Sequence, residues 1–202
     1  MTYAGLPAVG TLPLPEIKFI PTAAENPGRR GPVELVFVHR WGVNDWHHEH
    51  MDGVLNGFKN PANKASSHLI YAGEHPAVAS DAGRCVQMVK FADTAWTEMG
   101  DNVRGVAIET GDQIWEGADP EGFARLARIV AFLTQQRFKL PVHWQRDPNT
   151  HGNCGIARHA DGGAFAGGHT DCPTTDIELW QQFIARVQQE AAHGKFRPSW
   201  GE

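Results

Sequence analysis

The sequence predicts an α/β fold, a central mixed β-sheet flanked by helices. Three observations carry that expectation. Short apolar runs rich in β-branched residues recur along the chain, as buried strands require. Two stretches, beginning near Asp119 and Thr175, set apolar residues at helical spacing behind N-terminal capping signals. Strands and helices are mixed without strict alternation, which points to a mixed sheet.

The elements follow in order. Residues 1–31 hold Pro7, Pro13, Pro15, Pro21 and Pro27, and end in Gly28-Arg29-Arg30-Gly31. They read as an irregular N-terminal arm with a flexible joint, lying across the domain. Val33–Val38 reads as a strand buried on both faces and ending at His39. Asn44 or Asp45 is placed to cap a helix with Met51, Val54, Leu55 and Phe58 on one face, stopped by Asn60-Pro61. His68–Ala72, Cys85–Lys90 and Val103–Thr110 read as further strands. Asp119-Pro120 opens a helix with Phe123, Leu126, Ala127, Val130 and Leu133 inward, ended by Pro141. Pro141–Trp144 and Gly155–His159 read as short strands. The last helix is expected from Thr175, with Glu178 completing a capping box and Ile177, Trp180, Ile184 and Val187 buried. The expected division is an arm at 1–31, one catalytic domain at 32–192 and a loose tail at 193–202.

Composition excludes several classes. At 202 residues, 41% apolar and 20% charged, the chain is long and apolar enough to bury a core. The net charge of −5 argues against nucleic acid as a partner. No run reaches the roughly 18 apolar residues of a membrane span. The opening residues lack the basic head and apolar core of a secretory signal. Three cysteines, none spaced as CxxC, do not make a disulfide scaffold.

The counts of 11 His and 7 Trp direct attention to a metal site and an aromatic surface. His39 ends one strand, His159 ends another, and Cys172 sits in the loop before the last helix. Residues at strand ends and in a neighbouring loop can converge at one sheet edge. Two neutral imidazoles and one thiolate would leave a fourth position open to water, the pattern of catalytic zinc. Rival donors remain in the sequence. His47, His48 and His50 are close together, His169 competes with His159, and Cys154 competes with Cys172. Cys85 reads as core.

These residues and their order resemble the zinc-dependent N-acetylmuramoyl-L-alanine amidases shared by phage endolysins, bacterial autolysins and peptidoglycan recognition proteins. VFVH ending at His39 is similar to the family's first strand. SSHLIYAGE resembles its second. CVQMVKFADTAW resembles the strand and Asp-x-Ala-Trp element that follow, and GVAIE resembles its Gly-Ile-x-Ile-Glu strand. RHAD at 158–161 resembles the segment of the second zinc histidine, and Thr170-Asp171-Cys172-Pro173 resembles Thr-x-Cys-Pro. The resemblance spans about residues 33–190. Departures are Arg40-Trp41 after His39, a Gly-rich insert before Cys172, Thr170 where some relatives carry Lys, and Ser67 where some carry Tyr.

The resemblance implies a peptidoglycan recognition protein/amidase-like fold and hydrolysis of the amide between N-acetylmuramic acid and L-alanine. It implies Zn2+ on His39, His159 and Cys172, with Glu109 as general base and acid. Thr170 or His169 is the expected oxyanion donor. Trp96, His68 and His169 are expected along the substrate groove, His68 more as a supporting group than as a ligand. Trp41, Trp46 and Trp144 are further groove candidates. The expected partner is bacterial peptidoglycan, with no nucleic acid and no membrane insertion, for a monomer. An endolysin made in the host cytoplasm without a signal peptide and released to the wall fits by analogy.

Overall fold

The computed structural model describes residues 2–41, 50–97, 100 and 102–196. Among them, six strands form one mixed sheet in the order β1-β5-β4-β7-β3-β8. The strands are β1 (Ile17–Phe19), β3 (Leu35–Arg40), β4 (Leu69–Tyr71), β5 (Cys85–Gln87), β7 (Gly105–Thr110) and β8 (Gly155–Arg158). Only β4 and β5 pair antiparallel; the other neighbours are parallel. A separate antiparallel pair joins β2 (Glu25–Asn26) to β6 (Thr94–Ala95). The helices are α1 (Met51–Lys59), α2 (Pro120–Phe132) and α3 (Ile177–His193).

Side chains alternate across the sheet and sort its two faces. Val36, Val38, Leu69, Tyr71, Val106, Ile108 and Ile156 pack with Phe123, Leu126 and Val130 of α2 and Trp180, Phe183 and Val187 of α3. On the other face, Ile70, Val86 and Met88 pack with Met51, Val54 and Leu55 of α1. Leu35, Phe37, Ala107 and Ala157 form a smaller buried cluster. His39 lies two residues after Phe37 and on its face, so it projects on the side away from α2 and α3.

Capping explains where the helices begin. Asp119 accepts from the Gly122 N–H, with Pro120 at the first helical position, as the sequence predicts. For α3 the predicted cap is one residue early. Asp176, not Thr175, is the cap, and it accepts from the Leu179 N–H. The cap of α1 comes from elsewhere in the chain. Asp81 Oδ2 accepts from the Met51 N–H at 2.7 Å, while the predicted caps Asn44 and Asp45 lie outside the described residues. Asn60 ends α1 as expected. Pro141–Trp144 forms no strand; it contributes a single bridge, Trp144 to Ile156.

The arm differs most from its sequence reading. Ile17–Phe19 adds a parallel edge strand to the main sheet. Arg186 donates to the carbonyls of Pro7 and Ala8, and Arg125 to that of Pro13. Arg186 and Arg128 share the buried Glu190 carboxylate, and Arg128 also donates to the Lys195 carbonyl. Phe196 packs edge-on to Phe132, so residues 194–196 are held rather than loose. The rest of the expected tail, 197–202, lies outside the described residues.

Arg29 is likewise a fastener rather than part of a flexible joint. Its guanidinium donates to the carbonyls of Phe91, Asp93, Val103 and Gly105. Arg29 Nη2 also lies 2.9 Å from His68 Nε2. His68 is only 1% exposed. Its Nδ1 accepts from the Ala107 N–H at 3.2 Å, and its Nε2 lies 3.2 Å from the Asp93 carbonyl. This burial corrects the expectation that His68 lines a substrate groove: it is a structural crosslink between β4 and β7.

Burial, then the Arg29 charge, pushes the His68 pKa down to about 3 from its ordinary 6.5. Between those values the unfolded chain binds a proton that the folded chain does not. Stability therefore falls as pH drops through 6.5, and this loss is complete near pH 3. His68→Gln is expected to flatten the stability profile between pH 6 and 4 by up to about 1.4 kcal/mol per pH unit. Chemical denaturation across that range checks it; a parallel, merely shifted profile contradicts it.

Candidate metal centre

The parallel register builds the site. His39 on β3 stands opposite Glu109 on β7, and Val38 stands opposite Arg158 on β8. His159, the next residue, therefore comes level with His39. Three strand ends thus deliver two imidazoles and a carboxylate to one edge. Thr110 donates to the His39 carbonyl through Oγ1 and accepts from Trp115 Nε1 at 2.8 Å, tying this edge to the core.

Cys172 completes the group from the loop before α3. Its carbonyl accepts from the Ala160 N–H at 3.0 Å, which holds the loop against the end of β8. Its Sγ lies 3.9 Å from His39 Nδ1 and accepts from the Arg40 N–H at 3.4 Å. The His39 and His159 rings are 4.5 Å apart, centre to centre. One donor atom from each of His39, His159 and Cys172 lies within 4.8 Å of the others, and all three residues are buried.

This donor set fits a metal ion. A tetrahedral ion with metal–nitrogen bonds of about 2.1 Å and metal–sulfur bonds of about 2.3 Å needs donors about 3.3–3.6 Å apart. The observed separations are a small adjustment away. The chemistry also agrees. Burial is the main cause holding the His39 pKa below its ordinary value; His169 pushes the same way and the Glu109 carboxylate opposes. The ring is thereby kept in the neutral form that ligates metals. The Arg40 N–H faces the sulfur.

Glu109 sits beside this group. Its Oε1 is 3.8 Å from His39 Nδ1, and the residue is 8% exposed. His169 and Thr170 are exposed. The His169 ring lies 4.3 Å from that of His159, so His169 borders the donor cluster without joining it. The rival donors separate too. Cys154 has its Sγ toward the Gly152 carbonyl, and Cys85 is buried with its thiol pushed up by burial. His50 is exposed at the start of α1; His47 and His48 lie outside the described residues.

The tryptophans sort by packing. Trp180 is core, as its helical spacing predicts. Trp41 is buried with α1, which removes it from the groove candidates. Trp144 is capped by the Arg146 guanidinium at 4.0 Å and donates to Asp161, which engages it structurally. Trp96 is half-buried just after β6, its backbone N–H donating to Ser66 Oγ at 3.0 Å. Trp46 lies outside the described residues. Sequence reasoning missed the Arg40 amide as a partner of the sulfur. A backbone group leaves no side-chain signal.

No family model matches the chain, and no curated protein matches it in sequence. Solved structures do. The Staphylococcus aureus hydrolase AmiA in complex with its ligand is 16% identical, with 98% of each chain covered and a TM-score of 0.66. The PlyG catalytic domain is 17% identical over 87% of this chain and 95% of its own, with a TM-score of 0.60. The endolysin N-acetylmuramoyl-L-alanine amidase LysCS from Clostridium intestinale is 14% identical over 87% of this chain and 97% of its own, at 0.54. The chain shares their α/β fold. Among the described residues, no helix is long and apolar enough to cross a membrane.

Cys172→Ala and His159→Ala are each expected to abolish stoichiometric binding of a divalent ion, whereas His169→Ala retains it. Titration with cobalt, read by its visible absorption, checks all three. Full binding by Cys172→Ala would remove the sulfur from the site.

Proposed function

We propose that this protein is a zinc-dependent hydrolase of peptidoglycan that cleaves the amide between N-acetylmuramic acid and L-alanine. One observation carries the reading: two histidines and one cysteine converge, buried, beside a carboxylate on a fold shared with solved amidases. His39, His159 and Cys172 would hold the ion. Zinc so bound supplies Lewis acidity toward the scissile carbonyl and toward water.

The remaining work falls to side chains of this chain. Glu109 takes the proton of the attacking water and returns it to the leaving amide nitrogen, as general base and then general acid. Its place at the end of a buried strand restricts its carboxylate to the neighbourhood of His39. Thr170 Oγ1 or a His169 ring N–H donates to the oxygen on which charge develops. Trp96 offers an aromatic face to the muramoyl stem. The release of a neutral peptide amine leaves the glycan strand whole.

Zinc as the resident metal, release from a phage-infected cell and action as a monomer belong to this same reading. Retention of a buried cysteine in the donor group favours catalysis over recognition alone, because the sulfur completes an open three-ligand site.

Glu109→Gln is expected to keep zinc and peptidoglycan binding and to lower turnover by about 10²–10⁴-fold. Product analysis of digested sacculi reads the reaction: new N-terminal alanine with unbroken glycan is expected. Cleavage between amino acids, or binding with no release by the zinc-loaded protein, would defeat the assignment.

A further inference from the structure

The Gly-rich run Gly162–Gly168 takes no part in the chemistry above. It forms the middle of a strap that leaves the sheet at His159 and returns at Cys172. Both ends meet at the metal centre, through the His159–His169 ring contact and the Ala160–Cys172 backbone bond. The segment His159–Ala166 packs against β3 and β8. Gly163, Gly167 and Gly168 all have positive φ, so the bends of the strap depend on glycine.

Such a strap is costly to order. Glycine loses more backbone freedom than any other residue when its conformation is fixed. Two contacts hold the far part. Asn149 Nδ2 donates to the Gly162 carbonyl at 3.2 Å. The Phe165 ring lies directly on Gly100: a Cβ built there would be 2.2 Å from the ring's Cε1 and Cζ. The ring thus uses space that only a glycine leaves. Phe165 is otherwise 52% exposed, the most exposed of the large apolar side chains described.

We propose that Phe165 seated on Gly100 is a latch that fixes the strap, and through it the approach of Cys172 to a metal ion held by the strand-end histidines. Phe165 is a positioning residue, six residues after His159 and seven before Cys172, and not among the donors. An unlatched strap would have to be ordered when the ion binds, and that cost appears as lost affinity. The inference rests on the metal-centre reading above.

The test measures zinc affinity by competition with a chromophoric chelator, and zinc release into excess chelator. It compares the intact chain with Phe165→Ala, Phe165→Tyr and Gly100→Ala, all verified as folded at the assay temperature by circular dichroism. Gly100→Ala keeps Phe165 but puts a methyl group where its ring sits. The half-exposed ring can swing away, so this variant opens the latch by an independent route should Phe165→Ala fail to fold. Both opening variants are expected to weaken zinc binding about tenfold or more, the usual effect of losing support behind a ligand, and to release it faster. Phe165→Tyr retains wild-type affinity. If the wild type binds zinc tightly and both opening variants match it within about twofold, the latch is overturned and the metal centre stands. If the wild type binds no zinc, both fall. If Phe165→Ala loses only binding to sacculi, the ring is a substrate contact and the latch is overturned.

Discussion

The parallel register of β3 with both of its neighbours is the constraint on which the site depends. Because His39 lies level with Glu109 and His159, one edge receives two imidazoles and a carboxylate. A slip of one residue in β3 would turn His39 toward α2 and α3 and carry Val38 to the edge. Burial opposes that slip on both faces at once. Val36 and Val38 belong to the helix-covered core, and Leu35 and Phe37 to the opposite cluster, all of them fully buried. Packing that stabilises the sheet therefore also aims the donors. No separate device is needed to bring His39 and Glu109 together.

Around this rigid centre, much of the irregular chain is held by arginine as well as by apolar packing of Tyr3, Leu6 and Leu14 against the core. Arg29, Arg125, Arg128 and Arg186 direct guanidinium N–H groups at backbone carbonyls of the arm, of the segments beside β6 and in β7, and of Lys195 beyond α3. Arg104 does the same for the carbonyls of Pro148 and Thr150 while paired with the buried Glu34. The geometry suits arginine, whose planar fork spans several acceptors where a lysine ammonium offers a point charge. Proline-rich segments have few N–H groups with which to join a sheet, but their carbonyls remain available. That is how a segment broken by five prolines becomes an ordered part of the domain.

This also explains what was legible in the sequence. The strands β3, β4, β5, β7 and β8 and all three helices were visible because burial imposes a period on side chains. The helix starts were visible to within two residues for α2 and α3, since Thr175 and Asp176 are both capping residues and sequence does not choose between them. Three-residue β1 has no period to read, and its edge position leaves Lys18 and Phe19 exposed. Arg29 looked like part of a joint because its partners are carbonyls, which every sequence supplies. His39, His159, Cys172 and Glu109 could be named from motif order, but their convergence is a property of register. His68 was misplaced for the same reason: a motif shows that a histidine is present, whereas burial decides whether it meets solvent.

The choice between His159 and His169 shows where spacing ends and geometry begins. Both precede Cys172, and the strap between them is rich enough in glycine to bring either near it. Their surroundings differ. His159 follows β8 directly, buried, with its backbone position set by the pairing of Arg158 with Val38. His169 follows Gly167 and Gly168, both at positive φ, and stands exposed. A ligand is most useful where its geometry is determined before the ion arrives, because ordering it afterward subtracts from affinity. The strand end meets that condition and the glycine-flanked return does not. The exposed ring instead touches His159 without sharing its fixed backbone.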